Sequence, residues 1–246
     1  SITLSDVTVA LSGSSSDLLN AFAGTFTSNH SGNITITDSA SSLVTAANLK
    51  TIGTRNDATV EVLNAINITG SKSDCTAALI TEATKVDLLE QDDDSTSTVT
   101  VSDTVSVSEG YALATVANAT VNFPNAGITD SLSNLVSSGE LTSNLSYIIS
   151  ANDNNPTIYI NNSGDTLLAS DILAFSESEI YSGQASINNG NIVSGTASDI
   201  TNIINFFSGA GKTNTTIKVT DSTTVSSGSN IVINQNYWNT VEFIGG

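Results

Sequence analysis

Cations are scarce in this chain. Six Lys and Arg stand against 24 Asp and Glu, for a formal net charge of -18. A surface that grips phosphates needs clustered Lys and Arg, and Arg55 with five scattered lysines cannot form one. Nucleic acid is therefore excluded as a partner, and an anionic membrane surface is disfavoured for the same reason. Cys75 is the only cysteine, so no intrachain disulfide framework exists. Its setting in Cys75-Thr-Ala-Ala-Leu79 predicts a small core residue. His30 is the only histidine, placed in the turn-like run Ser28-Asn-His-Ser-Gly-Asn33. An exposed loop histidine is the expectation, and no nucleophile elbow accompanies it. P-loop, dinucleotide-glycine and zinc spacings are missing too. Nothing in the sequence picks out a catalytic pair among the acids, and the chain reads as a non-enzyme. No apolar run approaches the roughly 18 residues of a membrane span, so direct membrane insertion is not expected.

What is present is 39% hydrophobic residues in a background of Ser, Thr, Asn, Gly and Ala, with 12% charged. That is enough apolar material for a core, in a composition that fits an extracellular or cell-surface protein.

Internal repeats organise the chain. Alternating apolar and polar residues ending in Asp or Asn occur as Ile34-Thr-Ile-Thr-Asp38, Val99-Thr-Val-Ser-Asp103, Ile158-Tyr-Ile-Asn-Asn162 and Ile217-Lys-Val-Thr-Asp221. A small polar cluster before an apolar run occurs at Ser16-Asp17, Ser73-Asp74, Ser133-Asn134 and Ser198-Asp199, with Gly13, Gly70, Asp130 and Gly195 just upstream. A third slot runs Val7-Thr-Val9, Val60-Glu-Val62, Val121-Asn-Phe123, Ala185-Ser-Ile187 and Val241-Glu-Phe243. The three series interleave in constant order, about sixty residues per repeat.

Period-2 segments rich in Val, Ile and Thr predict strands. Ser before Asp predicts helix starts with glycine stops: Asp17–Ala23 before Gly24, Asp199–Phe207 before Gly209, and Ala46–Ile52 before Gly53. Elements too short to bury an apolar face alone predict a stack of neighbouring repeats. The expected fold is mainly β, a β-solenoid-like stack of about four sixty-residue repeats with short helices (6–57, 58–119, 120–180 and 181–246) in a single elongated domain. The competing picture is two β-sandwich domains parting near 91–98.

The phrases Ile68-Thr-Gly-Ser-Lys-Ser-Asp74, Ile192-Val-Ser-Gly-Thr-Ala-Ser-Asp199 and Val99-Thr-Val-Ser-Asp-Thr104 resemble the "ITGTAAD" and "VTVSDT" units of very large β-strand-repeat proteins of bacterial surfaces, notably in marine cyanobacteria. The resemblance runs through all four repeats and implies a secreted, surface-attached or fibrous protein with no catalytic residues to carry over.

Because Val7-Thr-Val9 and Val241-Glu-Phe243 share one slot, Val7, Val9, Val241 and Phe243 are the assembly candidates. Copies of the chain joined head to tail would build a filament by a non-closing contact. The alternative is an adhesive or glycan-binding segment of a larger surface or tail-fibre protein, with adjacent aromatics Tyr237 and Trp238 as the sugar-stacking candidates. Asp92-Asp93-Asp94 is the calcium candidate among loop acids, without EF-hand spacing. The Asp or Asn that ends each strand signature is expected to cap a turn through its own backbone.

Overall fold

The computed structural model describes residues 6–24, 28–91, 95–123, 127–151, 156–162, 166–179, 185–187, 192–207, 213–219 and 238–243. They divide into two compact units: 1–104 with 109–126, and 105–108 with 127–246.

The first unit contains β1 (Leu11–Gly13), α1 (Ser15–Phe22), β2 (Ile34–Ile36), β3 (Leu43–Thr45), α2 (Ala46–Thr54), β4 (Val60–Val62), β5 (Asn67–Gly70), α3 (Lys72–Leu79), β6 (Asp87–Leu88), β7 (Ser97–Val101), most of α4 (Val107–Ala114) and β8 (Ala119–Asn122). Its strands form two parallel sheets, β1-β2-β4-β6 and β3-β5-β7-β8.

The second unit takes the start of α4, then β9 (Ile128–Asp130), α5 (Leu132–Leu135), β10 (Val136–Ser137), β11 (Glu140–Leu141), α6 (Ser143–Ala151), β12 (Ile158–Ile160), β13 (Thr166–Leu168), α7 (Ala169–Glu177), β14 (Ala185–Ile187), β15 (Ile192–Gly195), α8 (Ala197–Phe207), β16 (Thr213–Val219) and β17 (Trp238–Phe243). Parallel sheets β14-β12-β9 and β13-β15-β16-β17 lie beside one antiparallel hairpin, β10-β11. Its two-residue turn has positive φ at Ser138 (56°) and Gly139 (77°), the backbone twist that matches tightly joined strands.

The fold is mixed α/β. The mainly-β reading, with its β-solenoid-like stack of sixty-residue repeats and short helices, is overturned by eight helices and small parallel sheets among the described residues. The two-sandwich picture fails as well, since sandwiches are built from antiparallel strands and these sheets are parallel. Helices were under-read because Ser, Thr, Cys and Ala fill them; α3 reads Lys-Ser-Asp-Cys-Thr-Ala-Ala-Leu, with only Cys75, Ala78 and Leu79 buried. The sixty-residue period was misleading because Ile34–Asp38 belongs to β2 and Val99–Asp103 to β7, strands of different sheets. Within one sheet the spacing is about half as long: β2, β4 and β6 begin at residues 34, 60 and 87.

The core follows from the register. In β3-β5-β7-β8, Val44, Ile68, Val99 and Val121 stand side by side as Cα partners, and all four are buried. In the second unit Ile128, Ile158 and Ala185 do the same. Parallel in-register pairing puts identical strand positions on the same face, so one buried row of β-branched side chains serves a whole sheet.

Candidate functional site

The recurring Gly-Ser/Thr-x-x-Asp phrase is the structural unit that positions everything else. At 70–74, Gly70 ends β5, and a Cβ there would meet the Cβ of Ala46 at 2.8 Å. Gly195 in β15 has the same relation to Ala169, at 2.5 Å. Only glycine lets the strand end lie against the first residue of the preceding helix. The next residue is the N-cap: Ser71 Oγ accepts from the Asp74 amide at 3.1 Å and donates to the Asp74 carboxylate at 3.0 Å. Ser14 and Asp17 repeat this exchange, and the Asp199 amide donates to Thr196 Oγ1. The cap thus falls two residues before the Ser-Asp pair that the sequence reading chose. Each exchange satisfies a first-turn amide and places a carboxylate at the positive end of the helix.

A second carboxylate arrives from the neighbouring strand. The amide of Ser15 donates to Asp38 (2.7 Å), that of Lys72 to Asp103 (3.1 Å), that of Val107 to Asp130 (2.9 Å) and that of Leu132 to Asn162 Oδ1 (2.7 Å). The register explains it: Gly70 pairs with Val101, so two residues further on Lys72 comes level with Asp103. The terminal Asp38, Asp103 and Asn162 of the strand signature therefore each cap a helix 23 to 31 residues earlier, and Asp130, outside that signature, does the same from β9. That corrects the expectation of a turn closed on its own backbone. Asp221, the fourth terminal residue in that series, lies outside the described residues.

The helices of the first unit are further joined across layers by Lys50–Asp74 (2.9 Å) and Lys72–Glu109 (3.0 Å). Hydrogen bonds from Lys50 and then Ser71 hold the Asp74 carboxyl below the usual range. Cys75 is buried, as expected, and burial pushes its thiol up to about 11, which leaves it a packing residue without nucleophilic character.

His30 is a correction. Far from being an exposed loop residue, it is fully buried, its ring edge-on to Phe22 with centroids 6.1 Å apart. Its backbone forms a parallel bridge to Asn56, with its amide on Arg55 O and its carbonyl taking the Asp57 amide. Both ring nitrogens and Asn56 Oδ1 lack a hydrogen-bond partner among the described residues.

The candidates named from sequence separate. Val7 and Val9 lie in a turn, not a strand, held where Thr8 donates to Asp6 and where Ser31 and Gly32 donate to Val7 O. Val241 and Phe243 lie in β17, opposite Ile217 and Val219 of β16. Trp238 begins β17, while Tyr237 and Asp92, Asp93 and Asp94 lie outside the described residues. No group of three or more His, Cys, Asp or Glu is arranged to hold a metal ion among the described residues. An open hollow of about 390 Å³ in the second unit, by Glu140, Leu141, Ser146 and Glu177, brings together carboxylates and a hydroxyl without a histidine or a buried base. No helix among the described residues is long and apolar enough to cross a membrane.

The surfaces that remain are the faces and edges of the parallel sheets. The outer positions of β1-β2-β4-β6 are Ser12, Thr35, Glu61 and Asp87. Those of β3-β5-β7-β8 are Leu43, Asn67, Thr98 and Thr120 in one row and Thr45, Thr69, Thr100 and Asn122 in the next. Sequence reasoning missed this second array because its members are spread over 80 residues, from 43 to 122, and only the register aligns them. The chain matches no known protein family, no curated protein and no solved structure.

Proposed function

We propose that this is an extracellular structural protein, a self-assembling subunit of a surface filament that works without enzymatic chemistry. The observation carrying the reading is β17. This six-residue strand pairs with β16 in parallel and stands at one end of the order β13-β15-β16-β17. Its sequence, Trp-Asn-Thr-Val-Glu-Phe, has one charge and no proline, so it lacks the usual devices that blunt an edge. A strand from a second copy adds to such an edge through backbone hydrogen bonds. Repetition of that addition is heterologous and does not close, which gives a fibre. Val241 and Phe243 sit on the strand that would carry the junction, and Val7 and Val9 drop out of it because they are not in a strand.

Negative-stain electron microscopy over a range of concentrations, with and without calcium, tests this. Uniform fibres are expected, calcium making no difference, and Thr240→Lys, which puts a gatekeeping cation on the edge, should abolish them. A protein that stays monodisperse at high concentration would sink the reading, and saturable glycan binding by that monomer would favour an adhesive segment.

A further inference from the structure

We infer that the outer face of β3-β5-β7-β8 is where a second copy of this chain docks sideways, face against face, so that filaments pair into bundles. Within the first unit, charge singles out this face. The chain carries a net charge of -18, so two copies repel each other, and least where the meeting surfaces are free of carboxylates. The helical side of the first unit bears Asp17, Asp74, Glu109, Lys50 and Lys72. The outer row of β1-β2-β4-β6 bears Glu61 and Asp87. The eight outward positions of β3-β5-β7-β8 bear no charge at all: five threonines, two asparagines and Leu43. Leu43 is 74% exposed, while Thr45 and Asn67 are exposed and the other five half-buried.

Regularity adds to the case. In-register parallel strands about 4.8 Å apart repeat their side chains at the strand spacing, so Thr69 and Thr100 are direct neighbours, as are Thr98 and Thr120. A row of γ-methyls and hydroxyls is self-complementary. Two such faces bury methyls against methyls, as in the dry interfaces between stacked sheets, while Thr45 and Thr120 hydroxyls keep their partners Asn48 and Thr96 within the chain.

Area decides how the contact is used. Four strands with two outward positions each make a patch on the order of 200 Å², far below the roughly 800 Å² per partner of a stable interface. One pair of subunits is held only briefly. Many pairs held in line along two filaments add through effective concentration. The inference therefore rests on the self-assembly reading for its biological use, but the face itself is testable on unassembled protein.

The test uses variants with one added cysteine, since Cys75 is buried and its thiol is pushed up by burial. Thr98→Cys on the proposed face and Thr35→Cys on the outer row of the other sheet are oxidised at equal concentration, each rate divided by that thiol's reactivity towards a small neutral disulfide. Thr98→Cys should form covalent dimers at least about tenfold faster, and adding Thr69→Asp should return it to the Thr35→Cys rate with circular dichroism unchanged. Equal rates for the two positions, or no response to Thr69→Asp, would overturn the inference. Fibre formation is read separately by microscopy: Thr69→Asp should leave filaments intact but unpaired, whereas loss of all filaments in the parent protein would strike the self-assembly reading alone.

Discussion

The helix starts at α3 and α5 have the same local grammar, a strand, a serine cap and an Asx three residues after it, yet the first yields two turns and the second only four residues. At α3, Ser71 and Asp74 cap one another, Asp103 takes the Lys72 amide, and Lys50 pairs with Asp74 from the preceding layer. At α5, Ser131 makes no side-chain cap, Asn134 turns its amide to Asp130, and the residue from the next strand is the neutral Asn162. An amide oxygen fills the hydrogen bond but brings no negative charge to the positive end of the helix. The comparison teaches that the inter-strand cap is a property of register, present in both units, whereas the charge and reciprocity of the serine cap are set locally and differ between α3 and α5.

Core truncation should have the largest effect and should not distinguish the units. Ile68→Ala and Ile158→Ala each remove a fully buried member of an in-register row, and each should cost about 2–5 kcal/mol in denaturant unfolding. A large disparity between them would mean that the rows are not equivalent. Next, Asp103→Ala should cost about 1–2 kcal/mol, and Asn162→Ala should cost less, because only the first removes a charge. Equal losses would dismiss the electrostatic part of the comparison.

Acid should act on the α3 side. The Asp74 pKa is lowered in the folded chain by Lys50 and Ser71, so the stability it contributes is complete above the ordinary carboxylate pKa and is lost as pH falls through the lowered value. Asp74→Asn should therefore flatten part of the loss of stability below pH about 4; an unchanged acid limb would count against the Lys50 pairing. The smallest effect sharpens the comparison from the other side. Asn162→Asp should stabilise the start of α5 by about 0.3–1 kcal/mol at low salt, with the gain fading as salt is added.

Several local features could be read from the sequence. The starts of α1 and α8 were placed to within two residues, and that of α2 to the residue, because N-cap chemistry and a following apolar run are contiguous in the chain. Buried Cys75 was legible from its neighbours. The burial of His30 was not, since the run around it looks like a turn, and only its backbone bridge to Asn56 carries it inward. The parallel pairing that excluded sandwiches was illegible for the same reason: alternation shows that a segment is a strand but not which strand lies beside it.

By itself, then, the sequence determined how scarce cations are, which segments alternate, and to within two residues where α1, α2 and α8 begin, because these depend on residues within a few positions of one another. Tertiary structure alone decided that Asp38 reaches Ser15 and Asp103 reaches Lys72, and that eight outward positions of four strands line up as an uncharged face. Both are set by the register of strands distant in sequence, and register is fixed only when the buried rows of Val and Ile close on one another.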